Sequence, residues 1–446
     1  MNMTVPRTIC FGFLAVITTG TFLLMLPISN QDGTWDHFLT ALFTSTSAVC
    51  VTGLSVIDVG TYYSFWGQLF LLILIQVGGL GYMSATTVLL IVLGRKFSLK
   101  DKIALQQSLD KAGMAGVVQL VKSMIAMTAL IELTGVVLLM FVFVPRYGWS
   151  TGLWTSIFHS ISAFNNAGFS LYSNSLISYA HVPLLNLAIT LLIISGGLGY
   201  KVMMEIYLWL RDRFSKDTTC VVFSLHFKIV TGATILLVIL GTLFFLVTEI
   251  NNPETLGSLS WSQRILAAWF QSVTTRTAGF NTIDIGKMTT AGLFLTIAFM
   301  FIGASPGSTG GGIKTTTSRV LLSTAKAALE GRDTVICYQR EIGTPLIVKA
   351  VGVVVGSGLV VIVSTTLMAQ SDPQIELVKI FFEAVSAFAT VGLSTGVTAS
   401  FSIVSKLVLI VTMYIGRVGV LLLMAAILGE SKPSIVNYPE EHLLIG

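Results

Sequence analysis

Four short segments of this sequence combine hydroxyl side chains with a glycine at the same place, and they are the residues best suited to chemistry. They span 43–55, 159–169, 271–280 and 383–393, and their glycines lie 115, 111 and 113 residues apart. An aromatic residue stands ten positions before each glycine. Glycine adopts backbone angles that other residues avoid, so neighbouring carbonyls can all point one way. Rings of carbonyls that replace an ion's hydration shell form cation filters.

This repeat predicts four equivalent loops around one ion path. A fixed period of this kind usually reflects repeated structure. The alternative is that the glycines only let membrane helices pack closely; it fits the runs 78–81 and 196–199 but not four glycines that follow Ser/Thr-rich hairpins. The predicted filter, which would hold the ion by its backbone carbonyls, consists of Val51, Thr52, Gly53, Asn166, Ala167, Gly168, Thr277, Ala278, Gly279, Thr390, Val391 and Gly392.

Polar residues beside these loops allow more than one role. Asn165 and Asn166 either add side-chain oxygens at the mouth or cap the short helix before it. Arg276 precedes a filter segment and is expected to brace it rather than to bind ions. Glu132 lies in an apolar run, where a hydrogen bond between helices is its expected role.

A second unusual stretch interrupts a later apolar run. Six of the ten residues from 303 to 312 are Gly or Pro, and Pro removes a helix donor. Non-helical backbone at membrane depth is tolerated only against protein or a wet cavity. The stretch is either a simple kink or a loop that plugs the path, and we expect it in the third inner helix alone. The candidate gate residues are Gly303, Ala304, Ser305, Pro306, Gly307, Ser308, Thr309, Gly310, Gly311, Gly312 and, at similar depth in the fourth repeat, Arg417.

The composition indicates the surrounding architecture. Of 446 residues, 54% are hydrophobic and 11% charged, and the mean hydropathy is +0.84, whereas soluble proteins carry about 25% charged residues. We therefore predict an all-α integral membrane protein with four pseudo-repeats of helix, pore loop and helix around one central pore. The first apolar run is expected to be a retained helix rather than a signal peptide. The predicted repeats are 1–95, 96–213, 214–330 and 331–446.

In this plan the chain crosses the membrane eight times and re-enters it four times. Outer helices are expected near 6–28, 118–144, 223–249 and 343–369, and inner helices near 64–93, 181–210, 287–322 and 401–428. Lys and Arg are concentrated in the loops 94–122, 211–228 and 314–349. Basic loops stay in the cytoplasm, so both termini are predicted to be cytoplasmic and the filters to open outward. The C-terminal end of each short helix would then favour a cation.

Two enzyme motifs are nearly present in the glycine-rich stretch. Gly307 to Gly312 resembles a phosphate loop, but Ile313 stands where Lys is required. The run 303–307 satisfies the G-x-S-x-G pattern around Ser305, which in a hydrolase needs a strand-to-helix turn and a His partner. An intramembrane serine protease is therefore one alternative. A secondary transporter is another, although it would need inverted repeats.

The four motifs resemble those of the Trk/Ktr/HKT superfamily, and most of all its KtrB-type membrane subunits. The matching residues are Val51-Thr52-Gly53-Leu54, 277–282, 390–393 and 305–315. Some sodium-moving relatives have Ser at the first filter glycine; Gly53 therefore implies potassium, with a sodium-conducting relative as the alternative. The resemblance also implies an intramembrane gate, which favours that role for the glycine-rich stretch.

Further expectations rest on this resemblance alone. It implies K+ uptake across the plasma membrane stimulated by Na+, a homodimer, and a cytosolic KtrA-like ring of nucleotide-binding regulatory subunits. Nucleotide would act only through that partner, no cofactor is expected to be covalently bound, and the chain itself is not expected to be an enzyme. Besides membrane lipid, no other partner is implied, and in particular no nucleic acid.

Overall fold

Each glycine segment begins with a short helix that follows a long apolar one. The computed structural model describes residues 4–92, 114–214 and 223–428. The outer helices are Val5–Met25, Met114–Tyr147, Leu225–Glu249 and Thr344–Ser371. The pore helices are Phe38–Val49, Trp149–Phe164, Trp261–Thr274 and Leu377–Phe388. The inner segments are Phe65–Val92, Pro183–Leu198 with Tyr200–Phe214, Thr290–Phe301 with Thr315–Leu329, and Ile403–Val418 with Val420–Leu428.

The all-α membrane fold expected from the sequence is confirmed. In the described part of the chain the only strands are the two-residue pair Ile336–Cys337 and Arg340–Glu341. The four outer helices are each long and apolar enough to cross a membrane, and two bent inner pairs qualify if each is taken as one span. The count of eight spans stays a prediction, as do the repeat boundaries after 213 and 330. The boundary after 95 falls outside the described residues.

Packing between the elements closes into a ring. Every outer helix contacts the pore helix that follows it. Each inner segment also contacts the pore helix of the next repeat, and the fourth inner segment, Ile403–Val418, contacts the first pore helix, Phe38–Val49. The four pore helices are therefore enclosed by helices on all sides, and their C-terminal halves are buried.

Serines attach three of the pore helices to their outer helices in the same way. Ser45 Oγ donates to the carbonyl of Ile17 at 2.8 Å, Ser160 Oγ to that of Glu132 at 2.7 Å, and Ser272 Oγ to that of Val238 at 2.8 Å. Three residues after each acceptor the outer helix carries a glycine, namely Gly20, Gly135 and Gly241, on which a Cβ would collide with that serine. The hydroxyls in the repeats therefore fix the helices that carry the loops.

The first, second and fourth inner helices, which were expected to be continuous near 64–93, 181–210 and 401–428, are also interrupted. The first, second and fourth inner segments break at Gly81, Gly199 and Gly419, whose φ angles are +79°, +86° and +88°. The second and fourth bend by 106° and 93° there. One glycine in the left-handed region suffices to end a helix. A short run of glycines can therefore both pack closely and contain the residue at which the helix ends. The third segment differs in the length of its break, which covers 302–314.

Glycines on the inner helices also leave room for the C-terminal ends of the pore helices. A Cβ on Gly196 would overlap the carbonyl oxygen of Phe164, the last residue of the second pore helix, and Gly416 has the same relation to Phe388. The carbonyls at these helix ends thus lie directly against inner-helix backbone. The close helix packing expected of the glycines at 196–199 is thus observed at Gly196.

We predict that Gly196→Ala destabilises the protein, whereas Gly358→Ala does not. Overpacking costs about 1–3 kcal/mol, and Gly196 has no room for a methyl group, while Gly358 has no atom within 4 Å of a built Cβ. Ala at the second site should be neutral or slightly stabilising because it favours helix. Thermal unfolding in one detergent measures both variants; equal melting temperatures would contradict the packing account.

Candidate functional site: the glycine ring and the loop beside it

The four filter glycines meet in one closed ring. A Cβ built on Gly168 would lie 2.7 Å from the carbonyl oxygen of Ala278, and one on Gly279 would lie 2.6 Å from that of Val391. The same test brings Gly53 against the oxygen of Ala167 and Gly392 against that of Thr52. Each loop therefore contacts the next, and the fourth contacts the first. Any side chain at these positions would displace backbone rather than a flexible neighbour.

The four loops also share the same backbone conformation. The four glycines have φ between +69° and +94°. Two residues earlier, Val51, Asn166, Thr277 and Thr390 all have φ between +50° and +68°. Positive φ is a genuine outlier for β-branched residues, and such strain persists only where the surrounding structure determines it. The predicted filter residues are thus brought together, in one unusual conformation.

Hydroxyl groups of the pore helices stabilise this conformation. Ser162 Oγ donates to the carbonyl of Phe169 at 2.8 Å, and Ser386 Oγ donates to that of Leu393 at 2.7 Å. Thr274 Oγ1 makes the equivalent bond to Phe280, and Ser47 Oγ accepts the N–H of Gly53 at 3.1 Å. Sequence reasoning missed these four residues as a set. Their signal was available, because a hydroxyl stands five or six residues before every filter glycine.

Asn165 and Glu132 belong to a buried network beside the second loop. Asn165 Nδ2 donates to Gln76 Oε1 at 2.7 Å and to Glu132 Oε1 at 3.1 Å, and Gln76 Nε2 donates to Glu132 Oε2 at 3.2 Å. Asn165 Nδ2 also donates to the carbonyl of Ile161 at 2.9 Å, in the last turn of the second pore helix. Asn165 therefore caps that helix and joins it to its neighbours rather than adding oxygens at the mouth. Glu132 makes the interhelical bonds expected of it. Arg276 is 7% exposed beside the third loop.

The interrupted stretch of the third inner segment lies against the loops of the glycine ring. Gly311 N–H donates to Thr390 Oγ1 at 3.0 Å, and a Cβ on Gly310 would collide with Thr277 Oγ1. Thr309 N–H donates to the carbonyl of Gly196 at 3.3 Å. The loop thus contacts the third and fourth filter segments and the second inner helix at once.

Two cationic side chains hold consecutive carbonyls of this loop. Arg417 donates to the carbonyl of Thr309 and also to that of Gly78 on the first inner helix. Lys314 Nζ donates to the carbonyl of Gly310 at 2.6 Å. The sequence placed Arg417 near the loop by its distance from Gly392. It missed the role of Lys314, which begins the basic loop predicted at 314–349.

Ser305, the candidate nucleophile of the hydrolase alternative, is buried in the same loop. Its hydroxyl pairs with Thr315 Oγ1 at 3.1 Å. Among the described histidines, His159 lies in the second pore helix and pairs with Ser170. The Ser305 hydroxyl is therefore paired with the hydroxyl of Thr315, the first residue of the next helix, rather than with a base.

Comparison with known proteins identifies relatives over the whole chain. Residues 8–435 match the family model described as TrkH, cation transport protein. The chain is 39% identical over 446 residues to the Ktr system potassium uptake protein B of Bacillus subtilis (strain 168), covering 100% of this chain and 98% of that one. It is 38% identical over 441 residues to the protein of the same name in Vibrio alginolyticus (99% and 95%). The potassium/sodium uptake protein NtpJ of Enterococcus hirae is 37% identical over 445 residues (99% and 97%).

One solved structure is similar in fold. The crystal structure of the potassium transporter TrkH from Vibrio parahaemolyticus superposes with a TM-score of 0.70 at 19% identity, covering 94% of this chain and 85% of that one. At this identity the likeness concerns the fold alone.

We predict that Arg417→Gln loosens the loop without unfolding the protein. Losing a charge-assisted hydrogen bond costs about 1.5–3 kcal/mol, so amide exchange in 303–314 should accelerate about tenfold to a hundredfold. Lys201→Gln, at an exposed side chain of the second inner segment, is the matched control. Peptide-resolved hydrogen exchange measures both; equal protection of the loop in the two variants would contradict the proposed tether.

Proposed function

This chain belongs to the TrkH family of cation transport proteins, and from that premise we propose that potassium enters the cell through the ring of its four glycine loops. Its close relatives are named potassium uptake proteins, and the match spans essentially the full length of both chains. The observation that carries the proposal is the closed contact of Gly53, Gly168, Gly279 and Gly392 with the neighbouring carbonyls. The family is one of transporters, and we propose that the chain catalyses no covalent reaction.

In the proposed mechanism, backbone oxygens replace the water around the ion. Four loops in one conformation present equivalent carbonyls, as a filter requires. The C-terminal ends of the pore helices lie beside them and supply partial negative charge. The strained residues at Val51, Asn166, Thr277 and Thr390 hold the carbonyls in place before an ion arrives. Preorganisation of this kind lowers the free-energy cost of exchanging water for protein oxygens.

Sodium conduction is the second candidate. It is favoured by one relative, whose name includes both potassium and sodium. Potassium is favoured by the resemblance at the first loop, where Gly53 stands at the position at which some sodium-moving relatives have Ser. Relative fluxes of the two ions through purified protein distinguish these candidates.

The loop 302–314 is the proposed gate. It contacts two filter segments on the side opposite the outer cavity described below, and its carbonyls are occupied by Arg417 and Lys314. An ion leaving the ring on this side meets both the loop and the positive charge. Opening would require the loop to leave the contact of Gly311 with Thr390. The proposal places control of flux at this loop and selectivity at the ring.

Regulation is proposed to come from a separate cytosolic subunit. The names of two relatives refer to a Ktr system, and we infer a homodimer on a nucleotide-binding ring, with uptake stimulated by Na+. The proposed location is the plasma membrane, with both termini cytoplasmic and the filters facing outward. The docking surface would include the hairpin 335–342, which has exposed residues such as Arg340. Cys337 lies in this hairpin but is only 2% exposed, so a crosslinking thiol has to be introduced at an exposed position instead.

We predict that Gly53→Ser lowers the preference for potassium over sodium and that Gly53→Asp nearly abolishes transport. Both add a side chain that collides with the carbonyl of Ala167 at a φ of +94°. Gly33→Ser is the matched control, because Gly33 also has positive φ, +69°, but no neighbour within 4 Å of a built Cβ. Potassium and sodium fluxes in proteoliposomes at equal protein density measure the effect. Unchanged selectivity in both Gly53 variants would disprove the filter.

We predict that Arg417→Gln, or deletion within 307–312, raises maximal flux with unaltered selectivity. A bond worth about 1.5–3 kcal/mol that exists only in the closed state shifts the opening equilibrium about tenfold to a hundredfold. Rubidium uptake at saturating substrate measures flux, and Lys201→Gln again serves as control. A change in the potassium to sodium ratio would assign the loop to the filter instead, and unchanged flux in both variants would make it a structural kink.

We predict that a thiol introduced by Arg340→Cys crosslinks to a cytosolic protein in native membranes. Arg340 is exposed on the hairpin, whereas a thiol introduced by Asp32→Cys, exposed beside the first outer helix on the filter side, should not. Mass spectrometry of the crosslinked product identifies the partner. If the Arg340→Cys protein captures nothing and purified protein retains full regulation, the proposed partner is wrong.

A further inference from the structure

A cavity of about 230 Å³ lies over the glycine ring, on the side away from the loop 302–314. All four filter glycines line it. Several oxygen-bearing side chains complete its wall, and Asp58 is the only ionisable carboxylate among its lining residues. The volume accommodates several water molecules. Any ion that passes the ring must cross this space.

Most of the hydroxyls in the wall are already committed to protein partners. Ser394 Oγ donates to Glu383 Oε1 at 2.7 Å and accepts the N–H of Gly396 at 2.9 Å. Ser170 Oγ accepts the N–H of Tyr172 at 3.1 Å and pairs with His159 Nε2 at 3.0 Å. Ser55 Oγ donates to the carbonyl of Ile57. These bonds make the wall rigid but leave the serines little capacity for an ion.

The carboxylate of Asp58 and the amide of Asn281, the only such groups among the lining residues, each retain a free acceptor oxygen. Asp58 accepts the N–H of Gly60 through Oδ1 at 3.0 Å, and its second oxygen accepts no hydrogen bond from the described residues. Asn281 donates Nδ2 to the carbonyl of Ile283 at 2.9 Å, which leaves Oδ1 without a donor in the described chain. They follow the first and third filter glycines, which are not neighbours in the ring. The two side chains therefore belong to segments that follow non-adjacent glycines of the ring and line the same cavity.

We propose that Asp58 and Asn281 form an outer binding site for a partly hydrated monovalent cation, from which the ion enters the glycine ring. The inference rests on the proposed function of the ring. One carboxylate and one amide oxygen, with water filling the remaining positions, suit a weakly held hard cation. A charge in a cleft raises the local concentration of its counter-ion. The site increases the occupancy of the pore entrance and leaves discrimination to the ring.

Asp58→Asn is the most informative variant, because it removes the negative charge of the side chain and keeps the oxygen that caps the next helix. Asn accepts the Gly60 N–H as well as Asp does, so the short helix Val59–Tyr62 retains its start. One charge a few ångströms from the ion is worth about threefold to tenfold in affinity. In proteoliposomes the KM for Rb+ uptake should rise by about that factor while the maximal rate and the potassium to sodium ratio stay unchanged. Asp58→Glu should restore most of the affinity, and Asn281→Asp should lower KM.

The control is Asp32→Asn. Asp32 is an exposed carboxylate on the same side of the protein, bonded to Thr34, and it does not line the cavity. Its loss should leave KM unchanged. Raising ionic strength with an impermeant salt should narrow the gap between wild type and Asp58→Asn, since screening weakens the charge.

The outcomes separate this site from the proposed function. If wild type transports Rb+ and Asp58→Asn has wild-type KM, the outer site is disproved and the ring is unaffected. If KM rises equally in Asp32→Asn, the effect is general surface charge and the site is again disproved. If the Na+ concentration for half-maximal stimulation shifts while KM for Rb+ at saturating Na+ does not, Asp58 acts on sodium stimulation instead, and the proposed entry site for the transported ion is overturned. If wild type moves neither ion, the proposed function itself fails.

Discussion

The structure depends on one close contact, that between a glycine and the backbone carbonyl of the neighbouring loop. It occurs four times, and the fourth contact returns to the first loop. A methyl group at any of these glycines would clash with backbone atoms, which cannot move away as a flexible side chain can. The ring closes only if all four loops adopt the same conformation, with a left-handed residue two positions before the glycine. The rest of the fold supplies what that strained conformation requires.

Its support is built in layers. Hydroxyls such as Ser162 and Ser386 bond to the carbonyl just past the glycine, and serines such as Ser45 and Ser160 fix the pore helices to outer helices that carry glycine at the contact. Inner-helix glycines then receive the ends of the pore helices. The loop 302–314 is held differently, since the side chains of Arg417, Lys314 and Thr390 bond to its backbone. Hydroxyls of the pore helices thus fix the ring, whereas two cationic side chains fix the carbonyls of the loop.

Much of this arrangement was predictable, and the parts that were not have a physical reason. Fixed spacing of Ser, Thr and Gly reveals the loops because every repeat needs the same φ angles at the same place. The depth of Arg417 follows from counting residues along a helix. In sequence, a glycine that allows close helix packing cannot be distinguished from one that ends a helix. The breaks at Gly199 and Gly419 were therefore missed. The placement of Asp58 and Asn281 in one cavity depends on how distant segments meet, which spacing along one chain does not determine.

The central claim is that ions bind inside the ring of Gly53, Gly168, Gly279 and Gly392. Anomalous diffraction from crystals in which K+ is replaced by Rb+ tests it most directly. The account predicts peaks on the axis of the ring, surrounded by the carbonyl oxygens of Thr52, Ala167, Ala278 and Val391, and their loss in Gly53→Asp. Rubidium located only between other helices, with none inside the ring, would contradict it.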